Sequence, residues 1–259
     1  MSSNTSRSGF ISNLLPGFVM PTDGTGRRLL REYGAMFVAR GVTVPTKIVF
    51  EGEEEVSAFQ SMLQTATEKI GEFSMELQAA AMADLRNAIS EASSAGLSIT
   101  PRDADSARRG YDETVSLWES RVGPALKYWV ENGRMTQSDG DRIRAMSPFE
   151  QVPEVLRLEE QGIYFAKDLS KSIIYSVAPP GTSQHLSMLA FDVREHENPH
   201  VRELLARHKW YQTVVSDLPH FTYLGVQENE LPRLGLKTFT SEERNFWLPD
   251  IDLTWFTAA

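Results

Sequence analysis

The chain has 259 residues, of which 41% are hydrophobic and 24% charged, the composition of a globular protein that can bury one large core. Its net charge of −9 argues against a nucleic-acid-binding protein, which would show a basic face. Because there is no cysteine, disulfides and thiolate metal sites are excluded, and any metal must be bound by histidine and carboxylate side chains.

No stretch approaches 18 consecutive apolar residues, so we expect no membrane-spanning helix. The N-terminal segment lacks the apolar core and the small-residue cleavage site of a signal peptide. Three interpretations stay open: a signal already removed from this sequence, export by another route, and a cytoplasmic protein.

In the first half of the chain the hydrophobic pattern predicts mainly helices. Apolar residues at helical spacing predict a short helix over 25–40, and TKIVF at 46–50 is typical of a strand. The clearest helix is predicted over 74–95, with Ser74 as its N-cap. A second long helix is predicted over 103–131.

From residue 163 onward the pattern becomes richer in β-branched residues. SIIYSV at 172–177 and LAFDV at 189–193 are each typical of a strand. A short helix is predicted over 201–208, and a long strand or hairpin over 213–226. Helices early and strands late indicate an α+β fold in which helices pack on an antiparallel sheet.

Three residues of the second half have the chemistry of a metal site. His185 precedes a predicted strand that ends near Asp192, and an aspartate on an apolar strand is costly to bury without a cation or a good donor. His220 lies on the later predicted strand, beside Pro219. Two imidazoles and one carboxylate would leave a fourth zinc position open, as catalytic sites do. The alternative is an ordinary loop histidine and an aspartate that caps a turn.

Asp217, three residues before His220, is a candidate general base for a water molecule at such a site. The alternative is that Asp217 only begins a turn with Pro219. Two further histidines, His196 and His200, lie in the segment REHENPH, which at first sight resembles a metal cluster. Its Asn-Pro pair favours a solvated loop instead.

The order and spacing of these residues resemble a known family, the VanY-like D-alanyl-D-alanine carboxypeptidases. Its wider group includes lysostaphin-type enzymes and the hedgehog domain. The first motif has the form Ser-x-His-x-x-(Gly)-x-Ala-x-Asp, and the second places a carboxylate three residues before a histidine with an aromatic residue after it. The matching residues are Ser183, His185, Ala190 and Asp192, followed by His220, Phe221, Tyr223 and Gly225.

The resemblance implies that Zn²⁺ is the cofactor and that His185, Asp192 and His220 bind it. It also implies substrate-binding roles for Ser183 and for Arg102, which follows LSITP in the position of an arginine that holds the substrate carboxylate. A guanidinium fork suits a terminal carboxylate. The alternative for Arg102 is a surface arginine at a helix start.

Two residues depart from the family's pattern. The usual glycine of the first motif is Met188, which we expect to add bulk beside the metal-bearing strand and to narrow the pocket. The usual catalytic glutamate is Asp217, which is shorter by one methylene. A carboxylate misplaced by about 1 Å can cost on the order of 100-fold in rate.

The resemblance implies a zinc-dependent D,D-carboxypeptidase-like hydrolase of the cell envelope that cleaves peptidoglycan stem peptides. The alternatives are a peptidoglycan endopeptidase, a catalytically silent zinc-holding domain that binds cell-wall peptide or a protein, and a metal-free structural module. We expect no nucleic-acid partner, and the oligomeric state stays open. The expected organisation is an N-terminal extension with one helix over 1–45, a catalytic domain over 46–226, and an aromatic tail over 227–259 that packs back onto it.

Overall fold

The computed structural model describes residues 9–251. This part of the chain contains eight α-helices and several short 3-10 helices. The α-helices are α1 (Gly9–Asn13), α2 (Gly24–Tyr33), α3 (Glu53–Ser61), α4 (Ala79–Ser94), α5 (Tyr111–Glu131), α6 (Gln137–Arg144), α7 (Pro148–Glu159) and α8 (Pro199–Arg207). The 3-10 helices are Gly34–Val38, Ile173–Tyr175, Gln184–Ser187 and Glu228–Leu234. None of the helices in residues 9–251 combines the length and the apolar character needed to cross a membrane.

Seven strands in the described chain form three small antiparallel sheets. The strands are β1 (Thr65–Ile70), β2 (Phe73–Gln78), β3 (Ala190–Asp192), β4 (Trp210–Tyr211), β5 (His220–Tyr223), β6 (Leu236–Ser241) and β7 (Arg244–Pro249). β1 pairs with β2 and β6 pairs with β7, each as a hairpin, while the central sheet has the order β3-β5-β4. The fold class predicted from the sequence, α+β with antiparallel sheets packed against helices, is confirmed.

The central sheet lies in one continuous hydrophobic core. Leu85 of α4 and Leu205 of α8 are fully buried in this core, together with Phe191 of β3 and Trp210 of β4. The β6-β7 hairpin adds Trp247, whose backbone N–H donates to the carbonyl of Gln212 at 2.9 Å. Burial of this apolar area is what holds the three-residue strand β3 in place, since so short a strand has few ladder hydrogen bonds of its own.

A smaller hydrophobic cluster anchors the 3-10 helix Gln184–Ser187. Leu186 of that helix packs with Phe50, with Val56 and Phe59 of α3, and with Tyr111 at the start of α5. All five side chains are buried. The cluster therefore ties the 3-10 helix to two α-helices that are distant in sequence.

A loop covers the edge of β3 that β5 leaves free. Within this loop the Arg102 N–H donates to the carbonyl of Asp192 at 3.0 Å, and the Asp192 N–H donates to the carbonyl of Ser106 at 2.9 Å. Pro101 forms an isolated antiparallel bridge with Val193. The segment LSIT at 97–100 that precedes Pro101 forms no strand, but its continuation runs alongside β3.

The helix predicted over 74–95 is wrong in its first turns. Residues 73–78 form β2, and the helix begins only at Ala79. In FSMELQ the side chains of Met75 and Leu77 are buried, which is the alternation of a strand. Ser74 lies within that strand and caps no helix. Gly71, at φ 62°, makes the turn that joins β1 to β2.

Other predicted elements are shorter than expected or absent. Residues 46–50 do not form a strand, residues 172–177 contain a 3-10 turn, and α5 begins at Tyr111 rather than at 103. The long strand or hairpin predicted over 213–226 contains only one strand, the four residues of β5, which pairs with β4 outside that range. The Asp217 N–H donates to the carbonyl of Val214 and closes a turn before it.

Gly181 is a position where the fold requires glycine, and it leads directly to the 3-10 helix Gln184–Ser187. Its φ is +77°, and a Cβ there would lie 1.9 Å from the carbonyl oxygen of Phe50. We therefore expect Gly181→Ala to lower the free energy of unfolding by about 2 kcal/mol or more. Denaturant unfolding would measure this.

Gly123 offers the matched control, because it lies inside α5 and a Cβ there would meet nothing within 4 Å. Gly123→Ala should change the free energy of unfolding by less than about 1 kcal/mol, because helix propensity favours alanine while crowding against Pro124 opposes it. Equal stabilities for the two variants would contradict the role given to Gly181.

Candidate metal centre

Three elements bring His185, Asp192 and His220 together. His185 lies on the 3-10 helix Gln184–Ser187, Asp192 ends β3, and His220 begins β5. Asp192 and His220 are direct cross-strand partners in the β3-β5 register. One ligand atom from each residue lies within 4.8 Å of the others, and the three residues are 1%, 5% and 4% exposed. The group could hold a metal ion with ligand side chains that are themselves almost fully buried.

The backbone decides which nitrogen of His185 carries the proton. Nδ1 lies 2.7 Å from the carbonyl oxygen of Ala107, and because a carbonyl can only accept, Nδ1 is the N–H donor. Burial lowers the pKa of His185, which keeps the ring neutral. Nε2 therefore carries a lone pair, and this buried atom makes no hydrogen bond to any described residue.

A second chain of contacts decides the state of His220. The side-chain N–H of Gln184 donates to the carbonyl of Tyr33 at 2.9 Å, so the amide oxygen of Gln184 must be the atom that faces His220. Nε2 of His220 lies 2.9 Å from that oxygen and is therefore the N–H donor. In the neutral ring the lone pair of His220 is then on Nδ1.

The two lone pairs point at the same carboxylate atom. His185 Nε2 and His220 Nδ1 each lie 3.2 Å from Oδ1 of Asp192, with no proton available between them in the neutral tautomers. Three electron-rich atoms in contact repel one another unless a cation lies between them. A tetrahedral zinc ion with ligands at about 2.0–2.1 Å would separate neighbouring ligand atoms by about 3.3 Å, so the donors present fit such an ion.

Arg109 holds the other oxygen of Asp192. Its Nη2 donates to Oδ2 at 2.8 Å, while its Nε donates to the carbonyl of Asp105 at 2.9 Å. The charge-assisted hydrogen bond from Arg109 favours the ionised form of Asp192. The carboxylate is therefore ionised and oriented. Sequence reasoning missed Arg109, because it lies 83 residues from Asp192 and no local motif marks it.

The donor atoms lie at the wall of a pocket of about 300 Å³. Asp217, Ser183 and Arg102 line the same pocket, so the remaining candidate site residues reach it from three different segments. Asp217 is partly buried there, and burial together with the Asp192 charge raises the pKa of its carboxyl. The Arg102 side chain is exposed, and its guanidinium makes no hydrogen bond or ion pair within the described chain.

Met188 does not narrow this pocket as expected, because its side chain is buried elsewhere and is not part of the wall. Its backbone is left-handed, with φ 55° and ψ 33°. This is the region that glycine favours and that costs other residues roughly 1–2 kcal/mol. A glycine would adopt this backbone at lower cost, so Met188 holds the turn with strain.

The histidines of REHENPH lie outside the metal centre, and residues 9–251 contain no other group of three histidine or carboxylate side chains with ligand geometry. His200 is exposed, as predicted, but it lies in the first turn of α8 and not in a loop. His196 is not fully solvated, since it packs beside Arg244, which donates to its backbone carbonyl at 3.2 Å. Arg244 also pairs with Glu197, so the β6-β7 hairpin covers part of this loop.

No protein-family model matches the chain, and no curated protein matches it. Among solved structures, the chain is similar to a mutant of the vancomycin-resistance D,D-pentapeptidase VanY from a VanB-type resistance cassette, crystallised in complex with Zn(II). The identity is 14% and the TM-score 0.36, over 64% of this chain and 82% of that one.

The geometry generates a prediction about metal binding. Zn²⁺ at about 100 times its Kd should raise the free energy of unfolding by about 2.7 kcal/mol and Tm by roughly 5–10 °C. Asp192→Asn removes the only charged ligand, so its Tm should be insensitive to Zn²⁺. Thermal melts with and without Zn²⁺ would measure this.

His200→Ala is the control for adventitious binding, because it removes an exposed histidine outside the metal centre. This variant should keep the full Zn²⁺-dependent rise in Tm. If Asp192→Asn gained as much from Zn²⁺ as the parent, the metal would be bound elsewhere.

Proposed function

We propose that the protein is a zinc-dependent D,D-carboxypeptidase-like hydrolase that acts on peptidoglycan stem peptides in the cell envelope. The observation that carries the proposal is the pair of imidazole lone pairs held 3.2 Å from one carboxylate oxygen at the wall of a pocket. The two sequence motifs that resemble VanY-like enzymes supply the substrate class.

The donor set favours zinc and a catalytic site. Two imidazoles and one carboxylate are typical catalytic zinc ligands, and a three-ligand set leaves a position open toward the pocket. When bound, zinc supplies a Lewis acid that polarises the scissile carbonyl and lowers the pKa of a water molecule. The buried surroundings of the three ligands strengthen these electrostatic effects.

In this proposal Asp217 accepts the proton of the attacking water. Its carboxyl lines the pocket, and its raised pKa moves it toward the range in which a carboxylate is an effective base at neutral pH. It would then return the proton to the leaving amine. The shorter side chain favours a second candidate, a silent zinc-holding domain, only if it leaves the carboxylate out of reach of the water.

Arg102 would hold the terminal carboxylate of the substrate, and Ser183 would contribute a hydroxyl beside it. The Arg102 guanidinium lines the pocket and makes no hydrogen bond or ion pair within residues 9–251. Binding of an anionic ligand would therefore break no existing contact of this side chain. Arg109 on the same wall is paired with Asp192, whereas Arg121 forms no ion pair within residues 9–251. Arg102 and Arg121 are therefore the arginines that favour a substrate with a free carboxylate over an internal peptide segment, and hence a carboxypeptidase over an endopeptidase.

The first test is the role of Arg102. Arg102→Ala should raise KM for a peptide ending in free D-Ala-D-Ala by about 10–100-fold, because a charge-assisted clamp is lost. For the amidated peptide KM should change little. Steady-state hydrolysis of the two peptides in the presence of Zn²⁺ would measure this.

Arg194 provides a matched control, since it is a neighbouring arginine outside the 300 Å³ pocket whose side chain donates to the Arg102 carbonyl. Arg194→Ala should leave both KM values close to those of the parent. Equal losses on the free and amidated peptides in Arg102→Ala would make Arg102 structural.

The second test is Asp217. Asp217→Asn keeps the shape of the side chain but cannot accept the proton, so kcat should fall by about 100-fold or more, within the range for general bases. Zn²⁺ affinity should stay near that of the parent, because Asp217 is not one of the three ligands. Peptide hydrolysis and Zn²⁺ titration of the same preparations would separate the two effects.

Asp217→Glu restores the side chain usual in the family and should retain activity. An Asp217→Asn variant that cleaves as fast as the parent would remove Asp217 from the mechanism. A parent that binds Zn²⁺ but cleaves no D-Ala-D-Ala peptide would favour the silent zinc-holding domain.

A further inference from the structure

Gln184 lies between Ser183 and His185, at the position that the Ser-x-His motif leaves unspecified. Its side chain does not belong to the ligand set, yet it is 1% exposed and lines the wall of the pocket. It spans from α2 to the central sheet, since it contacts Tyr33 on one side and His220 on the other.

The orientation of the Gln184 amide is determined by its partners. One N–H donates to the Tyr33 carbonyl at 2.9 Å, which only an N–H can do. The second N–H points to Oγ1 of Thr213 at 3.4 Å. A flipped amide would place its oxygen against the oxygen of the Tyr33 carbonyl, an unfavourable contact between two acceptors.

Two threonines complete a closed ring of hydrogen bonds with the amide. Oγ1 of Thr213 lies 2.6 Å from Oγ1 of Thr222, and the Thr222 hydroxyl in turn donates to the amide oxygen of Gln184. Each hydroxyl in this ring is a donor once and an acceptor once. Because all of these side chains are buried, no solvent competes, and the ring holds the amide oxygen toward His220.

We propose that Gln184 is a positioning residue that sets the tautomer of His220. By accepting the Nε2 proton at 2.9 Å, it leaves the Nδ1 lone pair directed at Oδ1 of Asp192, where a metal would lie. Without an acceptor at that place, the proton can move to Nδ1, and a protonated Nδ1 cannot bind a metal. The inference rests on the zinc site of the proposed function but not on its substrate.

Gln184→Met tests the inference, because methionine has a similar length and no hydrogen-bond acceptor of comparable strength. In the metal-free full-length protein, at a pH where the His220 ring is neutral, ¹⁵N-histidine NMR should show the parent with its single ring proton on Nε2. The variant should show a mixture that includes the Nδ1–H form. Zn²⁺ affinity, measured by chelator competition, should fall by about 10–100-fold, as is typical of outer partners of metal ligands.

Gln184→Glu is the conservative variant. As a neutral acid its O–H can donate to the Tyr33 carbonyl while its other oxygen accepts from His220, and as a carboxylate it still accepts from His220. The NMR signature of the Nε2–H tautomer should therefore be restored. Loss of that tautomer in Gln184→Glu would overturn the proposal.

Gln151 is the matched control for the loss of a buried amide. It is also 1% exposed, its oxygen accepts from Nε1 of Trp118 at 3.1 Å, and its N–H donates to the Ile143 carbonyl at 3.1 Å, away from the metal centre. Gln151→Met should lose stability but keep the His220 tautomer and the Zn²⁺ affinity of the parent. If Gln184→Met did the same, Gln184 would be structural only.

The proposal for Gln184 and the proposed function can fail independently in these experiments. A parent that shows the Nε2–H tautomer and binds Zn²⁺, but hydrolyses no D-Ala-D-Ala peptide, would overturn the proposed function and support the role of Gln184. A parent that hydrolyses the peptide while Gln184→Met keeps the parent's tautomer and affinity would overturn the role of Gln184 alone.

Discussion

The contact of two imidazole lone pairs with one oxygen of Asp192 is the constraint around which this part of the molecule is arranged. In an ordinary hydrogen bond a proton would lie between the two atoms at each 3.2 Å distance. When both rings are neutral, the outer partners instead hold each ring proton on the nitrogen that faces away from Asp192. The outer contacts come from a backbone carbonyl and from the Gln184 amide, neither of which changes charge with pH. The fold thus maintains an electrostatic arrangement that a cation would stabilise.

The β3-β5 pairing and the loop beside β3 keep His185, Asp192 and His220 in this arrangement. A β3-β5 register shifted by one residue would turn Asp192 or His220 to the opposite face of the sheet and separate them. The loop that covers the free edge of β3 places the Ala107 carbonyl at His185 and the Arg109 guanidinium at Asp192. Removing one partner of a buried ion pair such as Arg109–Asp192 is costly, because it leaves an uncompensated charge.

The pocket combines ionised groups of both signs in a small volume. Arginines 102, 109 and 121 oppose aspartates 103, 105, 192 and 217 along its wall. Asp105 illustrates the effect: a hydrogen bond with Asp103 and then burial raise its pKa to about 6. Such perturbed carboxyl groups are typical of sites that bind or transform charged ligands.

The hydrophobic pattern predicted helices and strands well where a single periodicity dominated a segment. It predicted them poorly where a strand-like periodicity was followed directly by a helix-like one. The sequence FSMELQAAAMADL joins a strand-like alternation to a helix-like one, and the longer helical signal hid the boundary at Ala79. SIIYSV has strand propensity, but no neighbouring strand pairs with it, so it forms a 3-10 turn. Propensity describes only what a segment tolerates, and pairing partners decide what it becomes.

The sequence by itself determined the donor side chains His185, Asp192 and His220, because their chemistry and spacing are local properties. It also determined that no thiolate could take part, and that the fold would mix helices with antiparallel strands. Only the tertiary structure decided that the three donors meet, which nitrogen of each histidine faces the carboxylate, and that Arg109 and Gln184 orient them. These features depend on backbone carbonyls and on residues up to 151 positions apart, and such contacts leave no periodic signal in a single sequence.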